Sequence, residues 1–270
     1  MADVTKNYKP DRSVRDERPA FDSLAAPLFF RGGDTGCIVL HGIGGTPANV
    51  RVVADRLIAA GCTVNAPLLP GHGETVRAQN SATAGQWLSC VEASYDRLLE
   101  AGCTQIFAIG LSLGGILSGV LATIRPLAGL GLVCAPVIMQ PFLDNVRRVS
   151  PFVPYVRYCG PQDADPQAQM YQGFATGKLR DLNRLRKRLI RSMGDIRCPI
   201  LVLQAAHDNK VDPRSIDVIR AHAVHAPSID YHLLPNSPHG CTYGPERDLA
   251  ASLCAAFVQN TVDRGAPKPI

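Results

Sequence analysis

Residues 105–124 read QIFAIGLSLGGILSGVLATI. The stretch from Ile106 to Ile124 carries no charge over 19 positions, close to the length of a membrane-spanning helix. Its internal composition excludes that reading. Gly110, Gly114, Gly115 and Gly119 interrupt it, and it divides into a β-favouring half (Ile106 to Ile109) and a helix-favouring half (Ile116 to Ile124). A buried parallel strand running straight into a buried helix accounts for both halves, because such strands read as continuous apolar runs. The joint is Gly110-Leu111-Ser112-Leu113-Gly114, a G-x-S-x-G. A serine held on so sharp a turn needs glycine two residues to either side, so that strand and helix approach without side-chain collision.

Working outward, short apolar runs alternate with helical patterns. Strands are expected at 36–41, 62–68, 105–110, 130–135, 199–204 and 229–234. Between the first two, Thr46–Ala60 carries Val50, Val53, Ala54, Leu57 and Ile58 at helical spacing, with Pro47 at its first turn. Trp87–Ala101 repeats the pattern with Leu88, Val91, Tyr95, Leu98 and Leu99, closed by Gly102. Gly115–Ile124 and Pro245–Val262 complete the core helices. This alternation predicts an α/β fold with a mostly parallel sheet covered by helices on both faces.

It stops between 136 and 197. That interval is rich in proline and aromatic residues, then continues as KLRDLNRLRKRLIR (178–191), whose Leu179, Leu182, Leu185 and Leu189 share one helix face. Sixty residues are long for a connection, and long connections are usually functional. A helical lid over a site is expected there. Residues 1–26 read as a flexible arm, 27–135 with 198–262 as the core, and 263–270 as a tail.

Serine is a poor nucleophile at neutral pH and needs a base. Of seven histidines, His239 lies in NSPHG (236–240), between the last strand and last helix, at the carboxyl edge of the sheet where sites gather. An imidazole acting as base needs a carboxylate to fix its tautomer. Asp208 follows the strand at 199–204 and is the candidate, with Asp212 as its competitor. The oxyanion of an acyl intermediate needs backbone N–H donors. HGIGG (41–45), after the first well-defined strand, supplies one from Ile43, and Leu113 supplies the other. A dinucleotide loop fails on spacing, since the third glycine of G-x-G-x-x-G would fall at Pro47.

Together HGIGGTP (41–47), LLPGHG (68–73), GLSLGG (110–115), HDNKVD (207–212) and NSPHG resemble, in order, the α/β-hydrolase superfamily, and within it the carboxylesterase and monoacylglycerol-lipase-like branch. The likeness spans about residues 27–260. It implies the α/β-hydrolase fold with catalytic Ser112, Asp208 and His239, and hydrolysis of carboxylic esters of aliphatic acyl chains through an acyl-serine, without cofactor or metal. Ile43 departs from that branch, which commonly carries an aromatic there. Thioesters, other acyl substrates and carbon–carbon bonds are alternative targets within the same scaffold. A non-catalytic ligand-binding version is disfavoured by the presence of the whole constellation.

The remaining features bound partners and compartment. Lysine plus arginine number 28 against 23 acidic residues, a net charge of +5, too mild to indicate nucleic acid. The partner expected is a small-molecule ester. Nine cysteines without repeated spacing read as buried thiols of a reducing compartment, and no signal peptide opens the chain, so the cytoplasm is expected. Cys241 reads as packing, not as a reactive thiol. The cations between Lys178 and Arg191 read as a solvated helix face. Their alternative role is to attract an anionic substrate handle or, peripherally, a lipid surface. Nothing in the chain reports its oligomeric state.

Overall fold

A computed structural model describes residues 8–11, 16, 17, 19–143, 145, 152–159 and 165–265. In chain order the strands are β1 (Tyr8–Asp11), β2 (Leu28–Phe30), β3 (Thr35–Leu40), β4 (Thr63–Ala66), β5 (Gln105–Leu111), β6 (Gly129–Val133), β7 (Tyr155–Tyr158), β8 (Gly173–Ala175), β9 (Ile200–Ala205) and β10 (Ile229–Leu234). The helices are α1 (Arg51–Ala59), α2 (Val76–Ser81), α3 (Ala84–Glu100), α4 (Leu113–Ala122), α5 (Thr176–Ser192), α6 (Ser215–His222) and α7 (Arg247–Asp263). All six expected strands are present, within a few residues of their expected bounds.

Seven strands form one sheet in the order β2-β4-β3-β5-β6-β9-β10, parallel throughout except where β2 runs antiparallel to β4. Strand pleating divides the apolar residues between the two faces. Ile38, Leu40, Ile106, Ala108, Ile200 and Val202 face a core made with α3, α4, α5 and α6. Cys37, Val39, Phe107, Ile109, Leu201 and Leu203 face a second core made with α1 and α7. Both layers are needed, since each central strand is apolar on both sides.

Helix starts follow their caps. Thr83 accepts from the Gln86 N–H while Gln86 accepts from the Thr83 N–H, so α3 begins three residues before Trp87. At Thr46 the Asn49 side chain accepts from the Thr46 N–H, and a 3-10 turn at Pro47–Val50 precedes α1. All ten residues of α4 are buried against protein, and no helix among the described residues is long and apolar enough to cross a membrane.

Two expectations are corrected. The segment read as a flexible arm contains β1, which pairs antiparallel with β7, with Tyr8 opposite Tyr158 and Asp11 opposite Tyr155. Arg157 on β7 bonds both Asp11 and Glu17, and the Val76 N–H donates to Glu17 O at 3.1 Å. Asp11 and Glu17 of this segment are thus ion-pair partners of a distant strand. The rest of the arm, 1–7, 12–15 and 18, and the end of the tail, 266–270, lie outside the described residues.

The insertion, expected to be helical, is mixed. Its β-favouring run Tyr155–Tyr158 forms the centre of a three-stranded sheet, β1-β7-β8, and only α5 is a long helix. Residues 144, 146–151 and 160–164 of the insertion lie outside the described residues. Leu179, Leu182, Leu185 and Leu189 are all buried, at about 2 kcal/mol each. A β-carbon on Gly119 of α4 would stand 2.8 Å from Leu189, so the two helices touch where α4 has no side chain. The basic run is the outer face of this helix, with Arg180, Arg184, Lys187, Arg188 and Arg191 exposed.

Candidate active site

Ser112 occupies the turn between β5 and α4 with φ 56° and ψ −116°, a conformation that costs a non-glycine residue about 1–3 kcal/mol. Its N–H donates to Val133 O at 2.8 Å and its C=O accepts from the Ile116 N–H at 3.2 Å. The flanking glycines make the turn possible. A β-carbon on Gly110 would stand 2.1 Å from the carbonyl carbon of Gly114, and one on Gly114 would stand 2.4 Å from Leu40 O. The strain is held by packing from both sides.

His239 follows β10 on a loop fixed by Glu246, which accepts from the Asn236 N–H and the Ser237 hydroxyl. Its Nδ1 lies 3.0 Å from Asp208 Oδ1 and 2.9 Å from Oδ2. Asp208 Oδ1 also accepts from the N–H groups of Lys210 and Val211, at 2.8 and 2.9 Å. Burial pushes the Asp208 carboxyl up, but the imidazole and the two amides outweigh it, and the net direction is below the ordinary carboxylate range. Asp212, the competitor, is taken by Arg214 at 2.7 and 3.0 Å. With Nδ1 given to Asp208, Nε2 is the nitrogen left to act on a substrate or on Ser112.

The HGIGG loop runs beside the serine. A β-carbon on Gly42 would stand 3.3 Å from Ser112 Cβ and 3.8 Å from Oγ. Among the described residues neither the Ile43 nor the Leu113 N–H donates within the protein, which leaves both for a bound oxygen. His41 braces this loop from below. It is fully buried, its Nε2 accepts from the Leu69 N–H at 3.1 Å, and its Nδ1 therefore donates to Gly42 O at 2.9 Å. Burial, reinforced by His72 5.0 Å away ring to ring, lowers its pKa to about 3, so it stays neutral. His207, His222, His225 and His232 are on the surface.

Ser112, His239, Ile43 and Gly42 line one cavity of about 350 Å³. Its other walls come largely from the insertion, including Leu143, Met170, Tyr171, Leu179 and Leu182. The insertion is tied to the oxyanion loop, since the Tyr171 N–H donates to Gly44 O at 2.8 Å and Met170 bridges to Gly45. Asn49 Nδ2 donates to Gln167 O at 2.7 Å. Sequence spacing had no way to show these contacts, which join residues more than a hundred positions apart. Lys210 also lines the cavity and was passed over within HDNKVD, because the motif drew attention to its carboxylates.

Among the described residues one group of ligand-type side chains converges, Cys134, Asp208 and His239, with their atoms within 4.8 Å of one another. Two of the three are already bonded to each other, and the Cys134 thiol lies 3.5 Å from that of Cys241. Burial and this contact push the Cys134 thiol up, away from the thiolate a metal needs. The set reads as the support behind the His–Asp pair.

The chain is similar to known proteins in sequence and fold. The alpha/beta hydrolase family model matches residues 37–252. A thermostable monoacylglycerol lipase of Bacillus sp. (strain H-257) is 30% identical over 200 residues, 73% of this chain and 80% of the lipase. A carboxylesterase of Bacillus subtilis (strain 168) is 29% identical over 232 residues, 83% of this chain and 92% of the esterase. Among solved structures, a chain from work on LipS and LipT, two metagenome-derived lipolytic enzymes, superposes with a TM-score of 0.81 at 26% identity, covering 89% of this chain and 100% of that one. From its fold and from these matches, the chain belongs to the alpha/beta hydrolase family.

Proposed function

We propose that the protein is a carboxylic ester hydrolase working through an acyl-serine on Ser112. One observation carries the reading: a strained serine and a histidine already bonded to a buried carboxylate open onto the same cavity. Ser112 Oγ attacks the ester carbonyl while His239 Nε2 takes its proton, and Asp208 stabilises the imidazolium. The Ile43 and Leu113 amides hold the oxyanion. Losing one such donor typically costs about 10²–10³ in rate. His239 then protonates the leaving alcohol, and water repeats the sequence on the acyl-enzyme.

The leucines, methionine and isoleucine of the cavity wall suit an aliphatic acyl chain, and the monoacylglycerol lipase and carboxylesterase relatives support a small ester as substrate. The insertion at 136–197, whose described residues form much of the cavity wall, is assigned as a lid. The reaction uses no resident metal or cofactor and no nucleic acid. Nine unpaired thiols favour the cytoplasm, and the exposed cations of α5 offer a face for peripheral contact with a lipid surface.

The test is hydrolysis of p-nitrophenyl esters from C2 to C16 by the wild type and by Ser112→Ala. Turnover by the wild type with loss of several orders of magnitude in the variant supports the assignment, and the chain-length optimum measures the acyl pocket. An inert wild type across the series removes the esterase reading and brings thioester or carbon–carbon substrates forward.

A further inference from the structure

The wall of the cavity contains a single lysine or arginine among the described residues, Lys210. It lies two residues past Asp208, and its backbone is fixed on both sides: its N–H donates to Asp208 Oδ1 and its C=O accepts from the Gln140 N–H at 2.9 Å. The residue is therefore held beside the candidate triad and is part of the cavity lining. Its ammonium forms no hydrogen bond and no ion pair among the described residues. Three other cations near the cavity are matched: Arg157 by Asp11 and Glu17, Lys178 by Asp181, and Arg247 by Asp165.

A cation in a partly desolvated wall without a counter-charge is unfavourable unless something else supplies the charge. Burial lowers the Lys210 pKa, and Asp208 only partly restores it. Asp208 offsets that burial only in part: its oxygens accept from His239 and two amides and form no ion pair with the ammonium. The same cavity is lined by the apolar Leu143, Leu179 and Leu182. The cavity thus offers an aliphatic surface and one lysine without an ion pair, in the same lining as the reacting serine.

We propose that Lys210 is a specificity-determining residue, and that the preferred substrate is an ester whose aliphatic part also carries an anionic oxygen group, a carboxylate or a phosphate, which pairs with the Lys210 ammonium. This rests on the ester-hydrolase reading above and narrows it. The ammonium carries no proton in the reaction; it holds the anionic end while Ser112 and His239 act on the ester. A charge-assisted contact in such a setting is worth about 10–100-fold in kcat/KM.

The experiment compares matched esters in wild type, Lys210→Met and Lys210→Arg. Monoethyl glutarate is set against ethyl valerate for the carboxylate, and 1-butyrylglycerol 3-phosphate against 1-butyrylglycerol for the phosphate. The wild type favours at least one anionic member of these pairs, Lys210→Met loses that preference by about 10–100-fold in the ratio of kcat/KM, and Lys210→Arg retains most of it. Which pair shows the larger change names the anionic group. Free glutarate and inorganic phosphate serve as competitive inhibitors, and the Ki of the matching one rises in Lys210→Met. A ratio unchanged within twofold overturns the inference, including the case where both esters slow equally, which would assign Lys210 to the Asp208–His239 pair instead. Hydrolysis of neutral esters without anionic preference overturns this inference alone. Failure on all four esters overturns the ester-hydrolase reading with it.

Discussion

His239 Nδ1 stands almost equidistant from the two oxygens of Asp208, at 3.0 and 2.9 Å, while Asp208 Oδ1 is also held by two backbone amides. The carboxylate is held by contacts independent of the imidazole. Asp208→Asn should therefore keep the fold, because an amide oxygen still accepts from Lys210 and Val211, yet present an NH₂ to the imidazole and favour the wrong tautomer. A loss of about 10⁴ in kcat with an unchanged circular dichroism spectrum is expected. Activity within tenfold of wild type would show that Asp208 does not orient His239.

The left-handed φ of Ser112 is a cost to folding that glycine does not bear. Ser112→Gly and Ser112→Ala should both be inactive, with the glycine variant about 1 kcal/mol more stable than the alanine variant. Urea unfolding of the pair measures the difference. Equal midpoints and slopes would mean that the turn relaxes in the variants.

Gly114 tests the close approach of α4 to β3. With a β-carbon 2.4 Å from Leu40 O, Gly114→Ala should lose about 3 kcal/mol of stability and displace the Leu113 amide, lowering kcat more than it raises KM. Thermal unfolding and steady-state kinetics report the two effects separately.

His41 and His72 are buried neutral, with pKa values lowered by burial to about 3 and about 4. In the unfolded chain each titrates near 6.5, so the unfolded state binds more protons below that pH. Their contribution to stability is complete above about pH 6.5 and is lost as pH falls towards 4, at about 1.4 kcal/mol per pH unit for each histidine. Urea unfolding between pH 7 and 4.5 should show that slope, and His72→Gln should reduce it. A flat profile would mean that the two rings are protonated in the fold.

Seven of the nine cysteines are buried, Cys90 is half-buried and Cys159 exposed. A thiol reagent should label Cys159 quickly and Cys90 slowly in the native protein, and the remaining seven only on unfolding. Labelling of Cys241 in the native state would contradict its place against Cys134.

The sheet was legible in the sequence because its central strands are apolar on both faces and its elbow demands glycines at fixed spacing. The positions of Ser112, Asp208 and His239 at one edge follow from the same regularity, since each ends or follows a parallel strand. The cover was not legible. Tyr155–Tyr158 pairs with Tyr8–Asp11 on one side and Gly173–Ala175 on the other, and neither Tyr8–Asp11 nor Tyr155–Tyr158 carries a local turn signal that announces the other. Asp11 and Glu17 pair with Arg157, about 140 positions away, a contact that no local pattern announces. Lys210 was visible, but the lack of a partner for its ammonium is a fact of three dimensions.

Pairing Tyr8 with Tyr158 closes a loop of about 150 residues, and that closure offers only a four-residue ladder in return. Its long sequence separation predicts that the ladder forms late in folding. During synthesis the first residues leave the ribosome long before their partner strand exists. Refolding of the denatured protein should accordingly restore the helical signal before it restores discrimination among esters of different length, so that a newly folded molecule is briefly less selective than a mature one.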